Sequence, residues 1–200
     1  MYFLKSVVFV ICGSILYSSC LATEHNPVID AFNREAISPD LIPKAPEGLL
    51  TVQFEKGIKA NLGNTLSIEQ SKKKPVDLSW PSSQEAFYTV VMTDPDAPSR
   101  RNATFAEFKH WIVGNVPGLK INEGKIIADY RPPSPPKGTG PHRYILLVFV
   151  QPRGKITFKE PFTPSDKSDG RPKWSVKKFA QEYDLGDPVA GNFFFVERKK

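Results

Sequence analysis

The chain has 200 residues, of which 40% are apolar, and 27 Lys and Arg stand against 21 Asp and Glu for a formal net charge of +6. A chain of this size buries a sizeable core by itself, so no second domain is needed. The basic excess lies in separate clusters, Lys72-Lys73-Lys74, Lys177-Lys178 and Arg198-Lys199-Lys200, without a base-stacking motif, so solvated loops and ends account for it and no nucleic-acid partner is expected.

Residues 1–22 read as a secretory leader. Lys5 makes a short basic start, Val7 to Leu16 an apolar core interrupted by Gly13, and Ser18-Ser19-Cys20-Leu21-Ala22 a small-residue end suited to cleavage after Ala22 or two residues earlier. The apolar run falls short of the about 20 residues that span a bilayer, so no transmembrane segment is expected. Cleavage removes Lys5, Cys12 and Cys20 and leaves 178 of the 200 residues, with 26 Lys and Arg against 21 Asp and Glu, a net +5. Residues 23–200 are then a single secreted domain without a disulfide, held by an ordinary core.

Asn26-Pro27 has the pattern of an N-cap followed by proline at the first helical position, with Val28, Phe32 and Ala36 on one side of a helix that ends before Pro39. Prolines 39, 43 and 46 indicate an extended lead into a half-buried strand over 49–54, where Leu50, Val52 and Phe54 alternate with polar residues. Leu66 to Glu69 is expected to pair nearby, Lys72 to Asp77 to form a charged surface loop, and Trp80-Pro81 to cap the core. Glu85 to Thr93 is an unbroken apolar and aromatic run that fits a central strand covered on both faces. It stops at Asp94, because Pro95 has no amide for the ladder.

After the turn at Asp94-Pro95-Asp96-Ala97-Pro98-Ser99-Arg100 comes Asn102-Ala103-Thr104, an N-glycosylation sequon. Phe108, His110 and Ile112 alternate with Lys109, Trp111 and Val113, which predicts a second strand with His110 on the face of Phe108. Pro132 to Gly140 is too rich in proline and glycine for regular structure and is expected to deliver His142 to the start of a third strand, Arg143 to Gln151. Ser175 caps a helix in which Val176, Phe179, Ala180 and Tyr183 share a face and which Gly186 ends. A final aromatic strand runs from Phe193 to Glu197.

Two of the three histidines, two closely spaced carboxylates and several prolines and glycines thus fall beside strand ends. Asp94 to Arg100, His110, Pro135-Pro136-Lys137-Gly138-Thr139-Gly140 with His142-Arg143-Tyr144, and Asp187-Pro188-Val189-Ala190-Gly191-Asn192-Phe193-Phe194 resemble, in order, the signature segments of the phosphatidylethanolamine-binding protein family. The similarity spans about residues 27–197. It implies a mainly β fold, in which a large, mainly antiparallel central sheet packs against a smaller sheet with short peripheral helices. It also implies cis peptide bonds at Ala97-Pro98 and Ala106-Glu107.

The resemblance assigns ligand binding to Asp94, Pro98, His110, Gly140, His142 and Tyr144, with Phe194 where some relatives carry a pocket tyrosine. The implied ligand is a phosphorylated or anionic small molecule or a phospholipid head group. Imidazole N–H groups and loop amides can donate to such an anion, while Asp94 orients an imidazole and favours its cationic form. Asp96 and Arg100 are expected to pair across the turn.

No catalytic residue, cofactor or metal is expected, since no serine or cysteine nucleophile motif and no H-x-x-x-H accompanies the histidines. The family's regulatory members suggest a protein partner as well, either a component of a kinase pathway or a serine protease, with the chain acting as a monomer.

Overall fold

The computed structural model describes residues 25–199, so the expected leader at residues 1–22, with Cys12 and Cys20, lies outside the described residues. The Asn26 side-chain oxygen accepts the amides of Val28 and Ile29 and starts α1 (Pro27–Arg34), whose buried face is Val28, Ala31 and Phe32. Proline is tolerated at the first position because an amide there would have no helical partner. Ala36, expected on the same face, lies beyond the helix in the left-handed region at φ 52. Residues 38–44 fold as turns and bends rather than as an extended segment. Proline fixes φ near −65°, which suits a turn as well as an extended chain, and here the turns bury Ile42 and Ala45.

The segment expected as one strand over 49–54 serves two sheets. β1 (Gly48–Leu49) lies parallel to the last strand, and β2 (Thr51–Gln53) pairs antiparallel with β4 (Asp77–Ser79) to make the small sheet. Leu50 is the crossing point: its amide donates to the Gly191 carbonyl at 3.0 Å and its side chain is fully buried between the layers. Apolar alternation marks Leu50, Val52 and Phe54 as core-facing, but a period of two does not say which neighbour supplies the ladder. Similarly, the pairing segment in the next stretch is β3 (Asn64–Thr65), while residues 67–72 form turns. Asp77, expected in the surface loop, begins β4.

The large sheet adds β5 (Phe87–Asp94), β6 (Phe108–Pro117), β7 (Lys125–Ala128), β8 (His142–Gln151) and β9 (Ala190–Val196), in the order β1-β9-β8-β5-β6-β7, with β3 also on β9. β9 through β7 are antiparallel and β1 and β3 join β9 in parallel, so the sheet is mixed. One face packs Met92, Trp111, Leu146 and Phe194 against Leu50, Val52 and Phe54 of the small-sheet layer. The other packs Val91, Ile112, Leu147 and Phe193 against α1 and α2 (Val176–Glu182). This two-sided burial explains the unbroken apolar run of β5.

Ser175 caps α2 by accepting the Lys178 amide, as expected. The helix closes at Tyr183 and the chain turns through Asp184 at φ 50, ahead of Gly186. Among the described residues no helix is long and apolar enough to cross a membrane.

Candidate functional site

Antiparallel pairing sets the C-terminal end of β5 beside the N-terminal ends of β6 and β8. Asp94 lies opposite Phe108, and Thr93 opposite Ile145. Asp94, His110 and His142 therefore meet at one edge of the sheet although they are far apart in sequence. With Pro98, Phe105 and Tyr144 they line a cavity of about 250 Å³.

A β-bulge places His110. Met92 pairs with Trp111 and Thr93 with Lys109, which leaves His110 as an extra residue without a partner on β5. The expected alternation fails here: His110 and Trp111 both serve the Tyr144 side of the sheet, and Ile112 goes to the helix side. A bulge adds one residue without changing the hydrophobic pattern, so nothing in the sequence announces it.

His142 is held at both ring nitrogens. Nδ1 lies 2.9 Å from Asp94 Oδ2 and Nε2 lies 3.0 Å from the Thr139 hydroxyl, which itself reaches the Pro136 carbonyl at 2.8 Å. The other Asp94 oxygen accepts the Asp96 amide at 2.7 Å and so shapes the turn. The carboxylate thus orients His142, and His110 has a different partner. Nδ1 of His110 donates to the Arg131 carbonyl at 2.7 Å, and burial pushes the ring down to about 4 despite the opposing charge of Asp94. At His110 desolvation therefore outweighs the single carboxylate, although Asp94 favours the charged ring.

Asp96 pairs with Arg143 rather than with Arg100. Its Oδ2 accepts both the backbone amide and Nε of Arg143 at 2.9 Å, and Oδ1 accepts the second guanidinium nitrogen at 2.7 Å. Arg143 also donates to the Glu35 carbonyl, while Arg100 stays at the surface near Glu35. The β5–β8 pairing brings Arg143 to the Asp96 carboxylate, whereas Arg100 reaches the carbonyl and carboxylate of Glu35 at the surface.

Tyr144 is fully buried, and its phenol is raised well above the usual range, by burial first and then by the charge of Asp94, so it stays neutral. Phe194 stacks beneath Tyr144 with ring centroids 5.6 Å apart and does not reach the cavity. It supports the Tyr144 ring from beneath. Gly140 is likewise absent from the lining; at φ 81 it gives the loop a left-handed turn just before His142. Pro98 lines the cavity as expected, and its bond to Ala97 and the Ala106–Glu107 bond are both cis, as is Ser38–Pro39. Asn102 is exposed on the turn that carries Pro98.

Residues not anticipated complete the wall. Arg131 and Ser134 line it from the proline-rich loop, and Phe105 stands 49% exposed at its rim. Arg171, wholly buried, donates to the carbonyls of Lys109, His110, Asp129, Pro164 and Lys167, so one guanidinium pins three chain segments behind the pocket. Its only sequence trace is an ordinary arginine in a polar loop. Among the described residues no cluster of three or more His, Cys, Asp or Glu side chains converges to hold a metal ion.

Fold and site together define a mixed-sheet protein with a small pocket, polar groups set among prolines and phenylalanines, at the ends of its central strands. Residues 53–194 match the family described as Phosphatidylethanolamine-binding protein, and the chain belongs to that family. It is 39% identical over 158 residues to a Drosophila melanogaster protein provisionally named odorant-binding protein A5, covering 79% of this chain and 74% of that one. It also resembles a carboxypeptidase Y inhibitor, solved in complex with its cognate proteinase, at 29% identity and a TM-score of 0.74 over 86% of this chain and 95% of that one. A phosphatidylethanolamine-binding protein from Plasmodium vivax matches at 26% identity and a TM-score of 0.74, over 87% of this chain and 99% of that one.

Proposed function

We propose that the chain is a secreted binding protein, not an enzyme, whose pocket at Asp94, His110 and His142 takes a phosphate-bearing or other small anion and which modulates a protein partner. The observation that carries this reading is the junction of three strand ends. There a carboxylate fixes one buried imidazole, and a second imidazole and a tyrosine face the same cavity of about 250 Å³. Drug-sized ligands occupy roughly 300–1,000 Å³, so the cavity suits a head group rather than a whole phospholipid. Two or three charge-assisted hydrogen bonds of about 1.5–3 kcal/mol each, less the cost of association, give micromolar to millimolar affinity.

The test is an NMR titration with phosphoethanolamine. Saturable shifts at the His110 and His142 rings are expected in the wild type and are lost in folded His110→Ala and His142→Ala. Shifts absent at millimolar ligand, or retained in both variants, place the site elsewhere.

Likeness to the carboxypeptidase Y inhibitor favours a second reading, inhibition of a serine protease through the protein surface. Inhibition of a serine carboxypeptidase that survives His110→Ala would separate it from the pocket. A kinase-pathway partner rests on family membership alone. Secretion rests on the leader at residues 1–22, and a glycan at Asn102 would stand beside the turn carrying Pro98.

A further inference from the structure

The ring of His110 is locked in one tautomer by the backbone. Its Nδ1 meets the Arg131 carbonyl, which only accepts, so Nδ1 carries a hydrogen. The Arg131 amide returns a bond to the His110 carbonyl at 2.8 Å, so the two residues are clasped together, and turning the ring over would forfeit the Nδ1 bond. Nε2 is then the one polar atom the ring can offer the cavity, and among the described residues it has no hydrogen-bond partner. In the neutral ring Nε2 is a lone pair and can only accept. The pocket therefore presents an acceptor at the place where an anion site would be expected to present a donor.

Resting on the anion-pocket reading above, we propose that the cavity selects phosphomonoesters and binds them as the singly protonated anion, with the remaining P–OH of the ligand donated to Nε2 of His110. A dianion taken from neutral solution gains one proton on binding, and no covalent bond changes. The phosphodiester that joins a phospholipid head group to glycerol has no such proton to give and is disfavoured.

The groups facing His110 pull in both directions. Asp94 from β5 favours charge on the ring, Arg131 and Arg171 from the two flanking loops oppose it, and the Tyr144 ring from β8 packs on it at 5.1 Å in neutral form. Both nitrogens of His142 are already engaged by Asp94 and Thr139. Burial decides the balance and holds His110 down to about 4. A phosphomonoester takes its second proton near pH 6, so protonating the ligand at pH 7 is a roughly tenfold penalty against about a thousandfold for protonating the ring. Monoesters should therefore outbind diesters by about a hundredfold at pH 7.

The experiment is calorimetric titration of the protein with methyl phosphate and with dimethyl phosphate between pH 5 and 8, in buffers of different ionisation enthalpy. For methyl phosphate we expect a Kd that is flat below about pH 6 and weakens about tenfold per unit above it, with close to one proton taken up at pH 7.5. Dimethyl phosphate should bind about a hundredfold more weakly at pH 7 and keep tightening down to pH 5. In His110→Gln, which does not titrate, the ratio between the ligands should collapse toward one. Affinity for methyl phosphate that rises through pH 6, absence of proton uptake, equal affinity for the two ligands, or an unchanged ratio in His110→Gln overturns this proposal and leaves the anion pocket standing. Failure of both ligands to bind at any pH removes the pocket reading as well. Phosphotyrosine beside phosphoethanolamine then ranks a protein-borne source against a head group, both being monoesters.

Discussion

Asp96 and Arg143 make the ion pair that ties the turn after β5 to the start of β8, and burial sets what it is worth. The exposures of the two side chains are 1% and 8%, and the Asp96 carboxylate accepts three bonds from Arg143. Removing one member of such a pair leaves a buried charge without its partner, so Arg143→Ala should lower unfolding stability by about 3–5 kcal/mol. Arg100 lies at the surface, its side chain 46% exposed and 3.7 Å from Glu35, and Arg100→Ala should shift stability by no more than about 0.5 kcal/mol. Urea denaturation of the two variants beside the wild type checks the contrast, and equal losses would restore Arg100 as the turn partner. The sequence marks Asp96 as a turn carboxylate, but its partner depends on strand register, and an arginine four residues away looks as suitable as one across the sheet.

At the scale of elements, α2 is joined to the pocket wall through Glu107. Its Oε1 accepts the Val176 amide at the first turn of α2, and its Oε2 accepts the Thr93 hydroxyl. Burial pushes the carboxyl up to about 7, against the pull of these two bonds. The folded protein therefore holds a proton that the unfolded chain releases near pH 4.5, and unfolding liberates it. This contribution to stability is complete below about pH 4.5 and is lost as pH rises to about 7, at up to about 1.4 kcal/mol per pH unit. Thermal melts across this range should show wild type losing stability relative to Glu107→Gln, which keeps an acceptor for Val176 but has no proton to release. Parallel profiles would remove Glu107 from the balance. The N-cap signals at Asn26 and Ser175 were readable because capping is local, whereas the bulge at His110 and the split of residues 49–54 depend on which strands lie alongside.

For the whole molecule, one sheet carries both cores. Leu146 and Leu147 are adjacent in β8 and both fully buried, yet Leu146 belongs to the layer with the small sheet and Leu147 to the layer with the helices. Leu146→Ala and Leu147→Ala should each cost about 2–5 kcal/mol. Since the layers share their strands, each variant should lower the same single unfolding transition by calorimetry. A second transition in either variant would mean that the layers unfold independently.

By itself the sequence determined the local features: the caps of both helices, the two-sided burial of β5, the stop at Pro95, the shaped loop before His142 and the order of segments that resembles one family. Each follows from the stereochemistry of a few neighbouring residues or from hydrophobic period. Tertiary structure alone decided that Asp94 holds His142, that Arg131 fixes the tautomer of His110, that Arg143 displaces Arg100, that Phe194 stands behind the wall, and that Arg171 clamps it. These are contacts between distant segments. Register, a single bulge and desolvation set them, and none of the three leaves a mark on the pattern of residue types along the chain.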